Sequence, residues 1–202
     1  MIEVKNLTKR FGDHTLYENL NFTINDRDFI IISGESGKGK TTLLNMIGSL
    51  EKPTSGQIII DGLDVSKRKN PKKLFSDKIG FLFQNFVLME DKTVEQNLRI
   101  IKNRDSSNIT IMEALKKVGL ADKLKSKVYT LSGGEQQRIA LARLMIKKCD
   151  IVLADEPTGS LDRKNADIVF HLLKELNNMG KTVIIVSHDQ ELLNKGLKTI
   201  ML

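Results

Sequence analysis

The chain has 202 residues, 40% of them hydrophobic and 28% charged, enough for one ordinary domain or a domain with a small lobe, and its mixed charges argue against disorder. A net charge of +7 admits acidic partners (nucleotides, nucleic acid, an anionic membrane surface) without choosing among them. The single cysteine, Cys149, excludes an internal disulfide framework and any multi-cysteine zinc site, and it suits a reducing cytosol.

In chain order, Met1-Ile2-Glu3-Val4-Lys5 shows no basic region followed by an apolar stretch, so no secretory signal is read there. The first thirty or so residues alternate apolar and polar in short pieces, as in Asn21-Phe22-Thr23-Ile24, the pattern of half-buried strands. Short apolar runs at 29–32, 80–83, 151–154 and 183–186 predict fully buried strands, and amphipathic helices between them argue for a parallel sheet covered on both faces. None of these runs approaches the about 20 apolar residues of a membrane span. Lys67-Arg68-Lys69-Asn70-Pro71-Lys72-Lys73 reads as a solvated loop leading into a helix. Residues 85–148 read as helical throughout, most clearly at 109–118 and 135–147, and form a lobe inserted into the α/β core. Over 166–176, Ile168, Val169, Leu172, Leu173 and Leu176 share one helical face, with Gly180 as the stop.

Gly34-Glu35-Ser36-Gly37-Lys38-Gly39-Lys40-Thr41 matches the phosphate-binding loop G-x-x-x-x-G-K-[ST], and it stands between a predicted strand and a predicted helix. Glycines let the backbone turn N–H groups around phosphate oxygens, the helix adds its positive end, Lys40 is aimed at the β- and γ-phosphates, and the Thr41 hydroxyl is a Mg²⁺ ligand. Asp155 and Glu156 follow the run Ile151-Val152-Leu153-Ala154, which places them at the carboxyl end of a buried strand, where ligands of open α/β sheets bind. Asp155 is there to hold the magnesium shell and Glu156 to orient or deprotonate an attacking water. Gln84 and His188 end two further runs, so polar side chains from four strands are expected to converge on one site. His14 and His171 lack such placement and read as surface or packing residues. Ser132-Gly133-Gly134-Glu135 is a capping box whose two glycines are costly inside a helix and leave a bare ring of N–H donors, a second phosphate-binding helix end.

With these motifs in this order over essentially its whole length, the chain resembles an ATP-binding-cassette (ABC) ATPase subunit. The resemblance implies an α/β P-loop NTPase core with an N-terminal antiparallel β subdomain and an inserted helical lobe, a single domain over residues 1–202. It implies that Phe11 stacks on adenine, that residues 34–41 with Thr42 are the Walker A nucleotide site, and that Gln84 is the glutamine-loop residue, catalytic and metal-linked. Ser132-Gly133-Gly134-Glu135 matches the signature with Glu in place of the commoner Gln; Asp155-Glu156 matches the Walker B pair, Ser160-Leu161-Asp162 the D-loop, and His188 the switch histidine. Gly80-Phe81-Leu82-Phe83-Gln84-Asn85, the signature and the Walker B stretch look most like the ATPases of macrolide and antimicrobial-peptide exporters and of lipoprotein release; the short length also resembles bacteriocin-export ATPases. Three departures stand out: Lys38 where a small residue is usual, Phe11 where Tyr is commoner, and an end at Leu202 soon after His188, which leaves the C-terminal sheet edge open.

The resemblance further implies ATP and Mg²⁺ as ligands and a head-to-tail homodimer in which the Walker A of one chain and the signature of the other hold each ATP. It also implies a separate integral-membrane permease docking near Gln84 and the lobe, no nucleic-acid partner, and a cytoplasmic position on the inner face of the cell membrane. A non-transport member working through a membrane partner, cell-wall- or division-linked, stays open. A GTPase does not, because Asn194-Lys195-Gly196 is followed by Leu197 rather than by the guanine-reading Asp.

Overall fold

A computed structural model describes residues 1–67, 77–101 and 105–202; most of the basic run 67–73 lies outside the described residues. Two sheets form the frame. The first, of order β2-β1-β4-β5, is antiparallel and comprises β1 (Ile2–Phe11), β2 (His14–Ile24), β4 (Ser55–Ile60) and β5 (Leu63–Asp64). The second is parallel, of order β6-β7-β8-β3-β9, with β3 at Phe29–Ser33, β6 at Ile79–Leu82, β7 at Ile151–Asp155, β8 at Thr182–Val186 and β9 at Lys198–Met201. The four apolar runs are therefore strands of one parallel sheet, shifted by at most one residue. β9 pairs with β3 as the edge strand of this sheet, with the Leu202 N–H donating to the Ser33 carbonyl over 2.9 Å.

The runs 29–32, 80–83, 151–154 and 183–186 carry no polar side chain because both faces of the sheet are covered there. Ile151, Leu153, Ile184 and Val186 face helix α1 (Lys40–Ile47), which the first sheet covers in turn through Ile2, Val4, Leu7, Ile24 and Ile58. Val152, Ala154, Val183 and Ile185 face the opposite way. There they meet a cluster built on the helix Gly133–Ile146 and the helix Arg163–Asn178. Val169, Leu172, Leu173 and Leu176 are buried as their helical spacing predicts, and Gly180 ends that segment at φ 90°. His14 and His171 are exposed.

Residues 85–148 are less helical than the sequence implies. Among the described residues of this stretch the helices are α2 (Val94–Leu98), α3 (Ile111–Lys117) and α4 (Gly133–Ile146), with single 3₁₀ turns at Ala121–Lys123 and Val128–Thr130 between the last two. The cause is local. Thr93, Thr110 and Ser132 each close a capping box that starts a new helix. Asn97, fully buried, exchanges hydrogen bonds with both the N–H and the carbonyl of Met89, so a side-chain amide supplies partners that a continuous helix would otherwise provide. Helix α5 (Arg163–Asn178) is capped by Asp162, and α6 (Gln190–Leu193) precedes β9. No helix among the described residues is long and apolar enough to cross a membrane.

Candidate active site

The loop between β3 and α1 wraps one wall of a cleft of about 740 Å³. Gly34, Gly37 and Gly39 take φ of 150°, 83° and 80°, values a side chain would oppose. At Gly39 an added Cβ would also come within 2.7 Å of the Leu16 side chain, so the loop rests directly on β2. Gly34, Glu35, Ser36, Gly37, Gly39, Lys40, Thr41 and Thr42 all line the cleft. Lys38 is not among the lining residues; its half-exposed ammonium stands 4.0 Å from the Glu35 carboxylate. Lys40 is buried, and its ammonium donates to the Gly34 and Glu35 carbonyls, each over 2.9 Å. It is thereby held along the loop as a preset cation.

Opposite the loop lie the ends of β7 and β8. The Thr41 hydroxyl donates to Asp155 Oδ1 over 2.9 Å, which joins the first turn of α1 to the end of β7. Burial, together with the neighbouring Glu156 charge, pushes the Asp155 carboxyl above its ordinary range, against the pull of Thr41 and Lys40. Glu156 is left-handed at φ 44°, an uncommon conformation for a non-glycine residue. Its N–H still donates to the Val186 carbonyl at 3.0 Å, so the chain turns out of the sheet directly after one last ladder bond. The turn leaves Glu156 Oε1 2.7 Å from His188 Nδ1 and Glu156 Oε2 accepting from the Ser187 hydroxyl at 3.3 Å. Glu156 and His188 both line the cleft.

Phe11 also lines the cleft and is 51% exposed, which makes it a surface ring rather than a core one. Gln84 departs from the expected convergence. It is exposed and is not among the lining residues, because β6 is an edge strand with β7 and β8 between it and the phosphate loop. The helix end at Ser132 also stands apart from the cleft. Ser132 and Gly133 are exposed, and a Cβ at Gly133 would meet no described atom within 4 Å. The Glu135 carboxylate accepts from the Ser132 N–H and hydroxyl, at 2.8 and 3.0 Å, and the N–H bond above all holds its carboxyl below the usual range. Gly134 is the close-packed glycine: a Cβ there would fall 2.7 Å from the Asn165 side chain, whose amide donates to the Asp162 carboxylate of the D-loop stretch.

Comparison with known proteins decides the family. The model of the ABC transporter family matches residues 17–159. The chain belongs to the ABC transporter family. It is 38% identical to the macrolide export ATP-binding/permease protein MacB of Campylobacter jejuni, over 99% of this chain but 32% of that protein, and so spans about a third of that relative's length. It is 36% identical to the uncharacterized ABC transporter ATP-binding protein YvrO of Bacillus subtilis, over 100% of this chain and 93% of that one. Among solved structures, the dimeric post-hydrolysis state of the ATP-binding cassette MJ0796 of Methanocaldococcus jannaschii, bound to ADP and Pi, superposes with a TM-score of 0.85 at 36% identity, covering 100% and 94% of the two chains. The fold is thus that of an ABC ATPase cassette.

The cassette's residues fit Mg²⁺. Among the described residues no group of three His, Cys, Asp or Glu could enclose a metal. Mg²⁺ needs none: it takes hard oxygens, one or two from protein and the rest from phosphates and water. The Thr41 hydroxyl and Asp155 carboxylate, already 2.9 Å apart beside the phosphate loop, are such a pair. Several cleft residues escaped the sequence reading, namely Leu16, Ser33, Gln190, Leu193 and Met201, together with Ser187 behind Glu156. Only Ser187 carried a usable signal, as the residue just before His188 at a strand end.

Proposed function

We propose that this cassette binds and hydrolyses ATP as a head-to-tail dimer and drives a separate membrane permease. One observation carries the reading: the phosphate loop and the Ser132-Gly133-Gly134-Glu135 helix end are two phosphate-binding elements on one chain, yet only the first lines the cleft. The exposed helix end is therefore free to close over the nucleotide of a second copy.

Within one site, the loop N–H groups and Lys40 bind the β- and γ-phosphates, and Phe11 stacks on the base. Thr41 and Asp155 would hold Mg²⁺. Bound there, the ion supplies positive charge to the phosphate oxygens on which negative charge develops. Glu156 takes the proton of the attacking water; Ser187 and His188 hold its carboxylate in place, and His188 also reaches toward the γ-phosphate. Catalysis is mainly positioning and charge stabilisation. Because only ATP reaches the opposing signature, ATP closes the dimer and hydrolysis opens it. Residues 1–202 act as one domain, with the lobe at 85–148 and Gln84 offering the docking face for the permease on the cytoplasmic side. The likeness to a macrolide export protein supports an exporter of a drug, peptide or lipopeptide.

The test mixes two inactive chains. Lys40→Ala lacks the phosphate cation and Ser132→Arg blocks the signature, so each alone is inactive. A mixed dimer keeps one site with both parts intact, and partial recovery of ATPase activity on mixing is expected. Clear activity from Ser132→Arg alone would refute the action across the dimer.

A further inference from the structure

Lys9 is a buried charge that the reaction does not use. It lies on β1, 6% exposed, with Tyr17 opposite it on β2. Its ammonium donates to Glu51 Oε1 at 2.6 Å and to the Lys52 carbonyl at 2.9 Å. It also stands over the ring of Phe11, 4.4 Å from the centroid. A lysine is rarely buried unless paired, and this one is fixed from one side by a carboxylate and a carbonyl while a ring covers another. It is not among the residues lining the cleft, so it is not a further phosphate cation.

Phe11 itself has little else to hold it. It ends β1 next to Gly12, a turn residue at φ 55°, and half of its surface is open. A ring so exposed samples several rotamers, and a base that stacks on it must first select one. A fixed cation against one face removes that freedom, because the ring's negative quadrupole face is drawn to the ammonium. The opposite face is then the one a base in the cleft can meet.

We propose that Lys9, anchored by Glu51, is a positioning residue for base recognition: it sets the orientation of Phe11 so that the ring's free face is presented to the nucleobase. The proposal rests on the reading of Phe11 as the stacking ring. Its ligand chemistry is the base and not the phosphates, which gives the test its discrimination.

Wild-type protein, Phe11→Ala, Lys9→Met and Lys9→Arg are each titrated calorimetrically with ATP and with inorganic tripolyphosphate, in EDTA so that neither is turned over. ATP binds the wild type more tightly than tripolyphosphate, and Phe11→Ala narrows the gap. Lys9→Met, which keeps the stem and removes the charge, weakens ATP by roughly three- to tenfold and leaves tripolyphosphate unchanged; Lys9→Arg restores most of the loss. Glu51→Gln, which loosens the anchor with the lysine still in place, shifts the ratio in the same direction and carries the comparison should Lys9→Met not fold. Equal weakening of both ligands by Lys9→Met, or of neither, overturns the role of Lys9. If Phe11→Ala leaves the ratio at its wild-type value, the base-stacking reading falls and Lys9 falls with it. If Phe11→Ala narrows the ratio and the Lys9 and Glu51 variants do not, the Lys9 inference alone falls.

Discussion

Replacing Glu156 by Gln separates binding from chemistry at this site. The substitution keeps the size of the side chain and its capacity to meet Ser187 and His188, which lie 3.3 and 2.7 Å from the two carboxylate oxygens. What it removes is the basic oxygen, and general-base help is worth typically about 10²–10⁴ in rate. At about 1.36 kcal/mol per tenfold, the barrier rises by roughly 2.7–5.4 kcal/mol. Stability should change far less. His188 is 72% exposed, so its pairing with Glu156 is largely screened and contributes at most about 1 kcal/mol. In a chain of this size that is a shift of only about 2–4 °C in Tm. ATP affinity should hold or rise, because the lost charge stood beside the phosphate site and also beside Asp155, whose carboxyl it pushes upward. The variant is therefore expected to release phosphate 10²- to 10⁴-fold more slowly (about the full general-base factor), to bind ATP at least as tightly, and to accumulate as a dimer in Mg-ATP. Single-turnover phosphate release and size-exclusion chromatography measure these outcomes. A variant that hydrolyses at the wild-type rate and elutes as a monomer removes both the catalytic role and the closure mechanism.

Lys40→Ala should weaken ATP by roughly 10- to 100-fold, since each charge-assisted hydrogen bond contributes about 1.5–3 kcal/mol; unchanged affinity in a labelled-ATP titration would contradict the assignment of the phosphate loop. Asp155→Asn should abolish Mg-dependent turnover yet melt higher than wild type at neutral pH without nucleotide. The sign follows from the raised carboxyl: the folded state holds that proton more tightly than the unfolded one. The contribution is thus fully favourable below the ordinary value of about 3.9 and is lost as pH rises through the folded pKa. Melting curves of the two proteins should converge in acid, and a constant gap at every pH would show that the carboxyl is not the cause. Gly48→Ala should destabilise by about 1–3 kcal/mol through overpacking, because its Cβ would stand 2.2 Å from Phe81 Cζ and 3.2 Å from Leu153 Cδ1 while φ is an ordinary −75°; an unaltered melting temperature would mean that Phe81 swings aside freely.

Local patterns were enough for most elements of this protein. Four apolar runs announced four parallel strands because both faces of that sheet are covered, so every position along each run had to be apolar. The phosphate loop and the Ser132 helix start were legible for a similar reason: glycine conformations and capping boxes act within a few residues and leave their mark in the spelling of the chain. Adjacency in space left no such mark. Thr41 meets Asp155 across 114 residues, and Glu156 meets His188 across 32, only because β8 lies between β3 and β7. The same strand order keeps Gln84 at the sheet edge, outside the cleft that the pattern of strand ends had suggested. The turn at Glu156 and the burial of Lys9 against Glu51 depend likewise on partners distant in sequence. A side chain's periodicity encodes how deeply it is buried, whereas the identity of its neighbour depends on how strands and helices are ordered, and that order is settled only when the whole core packs.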